Sequence, residues 1–257
     1  MTRVRRLVPI LLLVCVLAAC GGSDEHADGV AGFAGASHRT VASGTASFTL
    51  LIDGKVGGSS VRSSETGTLS FTDNRAHFYK LVPGGGLPQE IVVDGPFTYT
   101  NANAQAALND SSVKPWTKLD TRKLPTSDAK SHPSELEHVR AVAYLAGGVA
   151  DPNRIGAGTV RGEHRTHYRG LVDPARVAEG APAGERAALR RAVRNDYLAK
   201  PFDADFWLDD AGRVRRVRVA YRTAGGSRVI VDGKFSGFGT KVDLTVPPKA
   251  DVQDITP

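Results

Sequence analysis

Cysteine is scarce in this chain. The 257 residues include two cysteines, Cys15 and Cys20, and aromatic residues make up 7% of the sequence. Both cysteines lie near the amino terminus, so the rest of the chain has neither a disulfide nor a thiolate metal site. Its folded part must be stable on its hydrophobic core alone. About 210 residues suffice, because a domain of that size buries roughly 70% of its unfolded surface.

Familiar catalytic motifs are also absent. The sequence contains no Gly-x-Ser-x-Gly elbow, phosphate-binding loop, dinucleotide glycine pattern or His-Glu-x-x-His. His164 and His167 stand three apart on a predicted strand and face opposite sides, which makes them poor metal co-ligands. Asp203, Asp205 and Asp209 share a strand face but lack a loop to wrap a calcium ion. We therefore expect no enzyme activity, no cofactor and no metal.

No apolar run is long enough to cross a membrane. The longest, at residues 7–17, belongs to a segment of about 14 residues before Cys20, whereas a transmembrane helix needs roughly 20. Three arginines precede it, and small residues, Ala18 and Ala19, follow it. This order is typical of a secretory signal peptide, which we predict at residues 1–19.

A cysteine directly after Leu-Ala-Ala is a narrower pattern. Residues 17–20 resemble the lipobox of bacterial lipoproteins. The resemblance implies that Cys20 carries a diacylglyceryl group and becomes the first residue of the mature protein. Two acyl chains hold a protein firmly at a membrane without spanning it. We therefore predict a lipid-anchored protein on the extracytoplasmic face of the cell membrane.

The positive charge of the chain lies partly in the signal peptide. Its net charge is +6, from 33 basic and 27 acidic residues. Residues 1–19 contain three of the basic residues and none of the acidic ones, which leaves +3 for the mature protein. With so mild a charge and no basic stretch interleaved with aromatic residues, no nucleic-acid partner is expected.

Composition divides the mature chain into three parts. Residues 20–44 are rich in glycine, alanine and serine, and predict a flexible tether with a reach of about 25–30 Å. Residues 45–246 carry the patterns of a folded domain. Residues 247–257 are polar and predict a loose carboxyl-terminal tail.

The folded part alternates between strand and helix patterns. Apolar residues at every second position, joined by tight turns, predict a mostly antiparallel sheet. Helices are expected at residues 134–146, with Ser134 and Glu137 as a capping box, after Asp173 at an N-cap, and at 183–198. Because the helices are few, we expect them to bury their apolar sides against one face of the sheet. The fold class is α+β, in a single domain.

The clearest alternation runs through Val160–Val172, which we predict to be one strand. The face with His164 turns inward, and the face with His167 is solvated. Gly162 and Gly170 fall on the inward face and would leave room there.

Four segments together resemble a known family. Residues 166–173, 206–216, 235–242 and the Pro247-Pro248 pair, in this order behind a lipobox, are similar to the actinobacterial LppX/LprG lipoproteins. Their fold is in turn similar to the LolA/LolB lipoprotein carriers. The resemblance covers residues 41–255 and implies a half-barrel: a single curved antiparallel sheet with helices packed on its concave face. In characterised members, an apolar cavity between sheet and helices holds the acyl chains of lipids or glycolipids carried across the envelope.

Eleven apolar positions are expected to point inward and to line such a cavity. They are Phe48, Leu50, Leu69, Phe71, Val160, Tyr168, Phe202, Phe206, Val217, Val219 and Val229. A plainly packed core accounts for the same pattern, so both interpretations remain open at this point.

Two functions follow from these alternatives. The first is an anchored carrier or reservoir that binds a lipid, glycolipid or other apolar acylated ligand without covalent chemistry. The second is a structural or regulatory envelope lipoprotein that binds a protein partner through an exposed sheet face and has no ligand cavity. An open apolar cavity favours the first and a filled core the second.

Overall fold

The computed structural model describes most of the chain after the predicted signal peptide. Cys20, Ser134 and most of the predicted helix at 183–198 lie outside the described residues. None of the described helices has the length and hydrophobicity to cross a membrane. The described residues are 30–56, 59–81, 87–124, 136–160, 162–179, 181, 186–187, 190, 201–222 and 228–257.

Twelve strands form one sheet in this part of the chain. They are β1 (Thr45–Val56), β2 (Ser59–Ser70), β3 (Arg75–Leu81), β4 (Gln89–Asp94), β5 (Phe97–Thr100), β6 (Trp116–Asp120), β7 (Asn153–Val160), β8 (Glu163–Val172), β9 (Phe202–Leu208), β10 (Val214–Arg222), β11 (Arg228–Ser236) and β12 (Val252–Asp254).

The sheet confirms the predicted fold class. Its spatial order is β12-β6-β5-β4-β3-β2-β1-β11-β10-β9-β8-β7, and successive neighbours are antiparallel except for the parallel pair β12 and β6. It is a curved, open half-barrel in an α+β domain. Because side chains alternate between faces, each strand contributes every second residue to the concave face.

Among the described residues, four complete α-helices and three short 3₁₀ segments accompany the sheet. The α-helices are α1 (Ala36–Ala42), α2 (Ala104–Asn109), α3 (Glu137–Tyr144) and α4 (Pro174–Val177). The 3₁₀ segments are Thr121–Lys123, Leu145–Gly148 and Lys249–Asp251. Helix α4 begins as predicted: the Asp173 side chain caps it by accepting a hydrogen bond from the Ala175 N–H at 2.9 Å.

Helices α1 and α3 cover the concave face. Val139, Val142 and Ala143 of α3 are buried in the same core cluster as Phe48 and Phe78 of the sheet. The Arg140 guanidinium also donates to the Ser70 carbonyl, at 2.6 Å from Nη2, and to the Asp73 carbonyl. Helix α3 is thereby fastened to the turn between β2 and β3.

The predicted tether is wrong from residue 30 onward. Phe33 is 3% exposed, and its ring centroid lies 5.2 Å from those of Tyr168 and Phe206. In α1, Thr40 is fully buried, and its Oγ1 accepts a hydrogen bond from the Val214 N–H at 2.8 Å. The folded domain therefore begins before Thr45, with a segment that closes one side of the core.

The predicted loose tail is also partly ordered. Residues Val252–Asp254 pair in parallel with β6. The Asp254 carboxylate accepts a hydrogen bond from the Thr256 N–H at 3.0 Å. It also forms an ion pair with Lys118 at 3.1 Å. These contacts, first those with Thr256 and then that with Lys118, lower the pKa of Asp254. The end of the chain thus completes one edge of the sheet.

The predicted single strand Val160–Val172 is two strands. Gly162 has φ +80°, in the left-handed region that favours glycine, and forms the turn between β7 and β8. Val160 pairs with Glu163 across this hairpin and is 43% exposed. Val160 is therefore not an inward residue.

Gly233 on β11 sets how closely α3 approaches the sheet. A Cβ there would lie 2.6 Å from Cγ1 of Val142. We predict that Gly233→Ala lowers the free energy of unfolding by about 1–3 kcal/mol, because the helix must move away. Urea denaturation measures this, and Val142→Ala in the same chain should restore part of the loss.

Gly158→Ala is the matched control for this experiment. The site also lies on a strand, but a Cβ there meets no atom within 4 Å. Its effect should stay within about 0.5 kcal/mol. Equal effects of the two substitutions would show that α3 does not rest on Gly233.

Candidate functional site on the concave face

Ten of the eleven predicted lining residues are buried in the sheet. They are Phe48, Leu50, Leu69, Phe71, Tyr168, Phe202, Phe206, Val217, Val219 and Val229. The eleventh, Val160, is exposed. The ten belong to strands β1, β2 and β8 to β11 or, for Phe71, follow β2 directly. Their contact with a ligand stays a prediction.

Part of the concave face is filled by the protein itself. Val142 rests on Gly233, as described above, and Val149 Cγ1 occupies the space that a Cβ of Gly170 would need. The expectation that Gly170 leaves room is therefore wrong. The same holds for Gly162, which lies in a turn rather than on the inward face.

Charged and polar side chains interrupt this apolar face on β2 and β3. Glu65 is 2% exposed and pairs in register with Leu50 on one side and Lys80 on the other. Its Oε2 lies 2.8 Å from Nε2 of His138 on α3, and its Oε1 lies 3.8 Å from Nζ of Lys80. Ser63 lies two residues earlier on the same face of β2. We call Ser63, Glu65, Lys80 and His138 together the Glu65 cluster.

A buried carboxylate requires such partners. Removing an ionised group from water costs several kcal/mol unless opposite charge and hydrogen bonds compensate for it. His138 and Lys80 supply this compensation from two different elements, and their side chains are 30% and 21% exposed. The cluster therefore extends from the buried sheet face toward the solvent.

Ser63 has unused hydrogen-bonding capacity. It is buried, and its Oγ has no hydrogen-bond partner in the described part of the chain. Its neighbour across the ladder, Ile52, packs against the hydrophobic core. A buried hydroxyl without a partner lowers the free energy of unfolding, because it has lost its hydrogen bonds to water. A ligand that forms a hydrogen bond with this hydroxyl compensates for that loss.

Sequence reasoning missed this cluster, although a signal was present. Ser63 and Glu65 continue the every-second-residue series that leads to Leu69 and Phe71. A carboxylate in phase with core residues predicts a buried, paired charge. The partner on α3 is 73 residues away in sequence, so no local pattern identifies it.

The convex face carries an ion-pair ladder. Asp205 accepts from His167 Nε2 at 2.8 Å and from Arg169 Nε at 2.9 Å. The His167 ring stacks on Trp207 with centroids 4.5 Å apart, and Arg216 lies 4.7 Å from the same indole. His167 is thus partly buried rather than fully solvated.

Two other polar residues singled out in the sequence, His164 and Asp209, form ion pairs with neighbouring side chains. His164 is exposed rather than inward, and its Nδ1 lies 2.6 Å from an Asp210 carboxylate oxygen. Asp209 is held by Arg213 at 2.9 Å. Within the described residues, no three His, Cys, Asp or Glu side chains come together in a way that could hold a metal ion.

A small pocket lies at the end of the β10–β11 hairpin. It has a volume of about 250 Å³ and is lined by Ala220, Tyr221, Arg222 and Arg228. Pockets for drug-sized ligands typically measure about 300–1,000 Å³. This one is therefore too small for a lipid with two acyl chains.

Comparison with known proteins shows the fold. No family model and no curated protein matches the chain. LprF from Mycobacterium bovis is similar in structure, with a TM-score of 0.50, 14% identity, and coverage of 86% of this chain and 97% of LprF. The chain shares the fold of LprF. The family resemblance predicted from the sequence is thereby confirmed at the level of the fold.

Two further solved structures are similar at lower scores. The Mycobacterium tuberculosis lipoprotein LppX aligns with a TM-score of 0.48 and 13% identity, over 84% of this chain and 98% of LppX. The LolA superfamily protein NE2245 from Nitrosomonas europaea aligns with a TM-score of 0.27 and 10% identity, over 86% and 96%.

The Glu65–His138 contact predicts coupled stability effects. We expect His138→Ala and Glu65→Gln each to lower the free energy of unfolding by about 1–3 kcal/mol, because each leaves a polar partner poorly compensated. The double variant should lose about 0.5–3 kcal/mol less than the sum, as expected for residues in contact. Urea denaturation of all four proteins measures the coupling. Strict additivity would contradict the contact.

Proposed function

We propose that this protein is a membrane-anchored, extracytoplasmic lipoprotein that binds a lipid or another apolar acylated ligand between its sheet and helices. The observation that carries the proposal is the concave face itself. Ten apolar side chains from six strands or their ends are buried on that face, and nine of them belong to the core cluster that also contains helix residues, in the fold of LprF. In the family that the sequence resembles, the same face holds acyl chains.

Burial of acyl chains supplies the affinity in this proposal. Each square ångström of apolar surface removed from water contributes about 25 cal/mol, from which ordering costs are subtracted. The lipid anchor at Cys20 would keep the domain at the membrane from which it takes its ligand. Nine residues separate Cys20 from Val30, the first described residue, so the chain length keeps the domain close to the anchor.

One observation favours the alternative function, a structural or regulatory lipoprotein that binds an envelope protein. The concave face is packed tightly where Val142 meets Gly233 and where Val149 meets Gly170. On the convex face, Leu51, Tyr79 and Leu81 are exposed. Leu51 and Leu81 both pair with Ser64, so they form one row across β1, β2 and β3 that a partner protein could cover.

Lipid extraction from the native protein distinguishes the two functions. We predict that the full-length protein, purified from its own host, releases about one lipid per chain into organic solvent, identified by mass spectrometry. Val219→Trp on the concave face should lower this yield at least about tenfold, because the indole occupies ligand space. The same purification tests the anchor through the mass of the Cys20 peptide.

Val160→Trp is the matched control, because it makes the same substitution at an exposed position. It should leave the lipid yield unchanged, and thermal unfolding should confirm that both variants fold. A lipid-free extract from the wild-type protein, with no uptake of a fluorescent fatty acid, would refute the ligand-binding function. It would favour the protein-partner function instead.

A further inference from the structure

Two arginines on the convex side of the sheet share a single carboxylate. Oε2 of Glu163, at the start of β8, accepts hydrogen bonds from Nη2 of Arg165 at 3.1 Å and from Nη2 of Arg215 at 2.5 Å. The hydrogen bond from Arg165 and then the charge of Arg215 lower the pKa of Glu163, so its carboxylate is ionised at neutral pH. Since both guanidinium groups are always protonated, two positive charges face one negative charge.

Each of these guanidinium groups also has a donor without an acceptor. The side chains of Arg165 and Arg215 are 17% and 9% exposed. Nε of each arginine is buried and has no hydrogen-bond partner in the part of the chain that the structure describes. A charged donor that has lost its water and found no acceptor is costly. One positive charge and two donors therefore remain for an anion.

The neighbouring side chains do not balance this charge. Asp209 lies 2.9 Å from Arg213 and neutralises that arginine. The ring of Phe238 lies 4.5 Å from Arg213 and 5.3 Å from Arg215, measured from its centroid. An aromatic face attracts a guanidinium group, but it carries no net charge and does not reach both Nε atoms as an acceptor would.

The arginine pair lies at the end of the sheet that is nearest to the predicted anchor. Arg39 donates from Nη2 to the Gly32 carbonyl at 3.0 Å and from Nε to the Gly212 carbonyl at 3.1 Å. The amino-terminal segment is thereby held beside the turn that leads into β10 and Arg215. The twelve residues from Cys20 to Gly32 span at most about 43 Å, so this end stays near the membrane surface.

We propose that Arg165 and Arg215 bind the phosphate group of an anionic phospholipid and so dock this end of the sheet on the membrane. The planar forks of two guanidinium groups match the oxygens of a phosphate. Glu163 holds the pair in the absence of lipid. Its side chain is 50% exposed and follows the turn at Gly162, so it turns away when a phosphate takes its place. The proposal rests on the Cys20 anchor of the proposed function, but not on acyl binding.

Vesicle flotation tests this site in the absence of the anchor. The mature chain, residues 20–257 with Cys20→Ser, contains every described residue and carries no acyl group. It is mixed, at about 0.15 M salt, with vesicles of dioleoyl phosphatidylcholine alone or of the same lipid with dioleoyl phosphatidylglycerol. We expect the protein to float with the vesicles that contain the anionic lipid and to stay behind with the others.

Two substitutions assign the binding to the arginine pair. Arg165→Gln and Arg215→Gln should each weaken vesicle binding at least about tenfold, because each removes a charge-assisted fork. Arg218→Gln is the matched control: it removes the same charge from an exposed position of β10 and should weaken binding less than about threefold. Arg165→Gln keeps the test decisive if thermal unfolding shows that Arg215→Gln does not fold.

The carboxylate gives a prediction of opposite sign. Glu163→Gln should strengthen vesicle binding at least about threefold, because the competing negative charge is removed. Asp203→Asn, which removes an exposed carboxylate of β9, is its control and should change binding less. Weaker binding of Glu163→Gln would show that the carboxylate does not compete with the lipid, and would overturn the proposal.

The other outcomes are equally decisive. Absence of flotation, or equal losses in Arg165→Gln and Arg218→Gln, would overturn the site. Inorganic phosphate is titrated separately by calorimetry. Heat of binding that is lost in Arg165→Gln, without flotation, would assign the site to free phosphate and overturn the lipid as its ligand. Failure of this proposal leaves acyl binding intact, because lipid extraction measures that function independently.

Discussion

An open sheet has to bury its concave face against something other than itself. Strands β7 and β12 stand at opposite ends of the strand order, so the half-barrel does not close through strand pairing. The residues on its concave face are kept from water by α1, α3 and the segments beside them. The remaining features of the fold, from the glycine at position 233 to the buried amino-terminal segment, follow from this requirement. The proposed ligand shares the space between sheet and helices.

Strand periodicity allowed most of the concave face to be predicted. Alternation along β1, β9, β10 and β11 identifies the inward residues because strand side chains repeat every two positions. The prediction that Val160 points inward was wrong for a geometric reason. Paired residues of a hairpin share a face, and Val160 pairs with Glu163, whereas Tyr168 lies on the other face. The turn at Gly162 therefore reverses the phase that a single strand would have kept.

Composition misled the prediction for residues 30–44. Glycine, alanine and serine are common in flexible linkers, yet small side chains also allow a short helix to approach a sheet closely. Helix α1 owes its stability to tertiary contacts, such as the Thr40–Val214 hydrogen bond, rather than to intrinsic propensity. The Glu65–His138 contact was likewise beyond prediction, because it joins two elements that only the folded topology brings together.

Photo-crosslinking shows whether the acyl chains of a bound ligand lie on the concave face. A fatty acid with a diazirine near its methyl end is bound to the full-length protein, illuminated, and its adducts are located by peptide mass spectrometry. If the acyl chains bind there, adducts form on concave-face residues of β10 and β11, such as Val219 and Val229. Adducts confined to the convex face, around Tyr79 and Leu81, would contradict it.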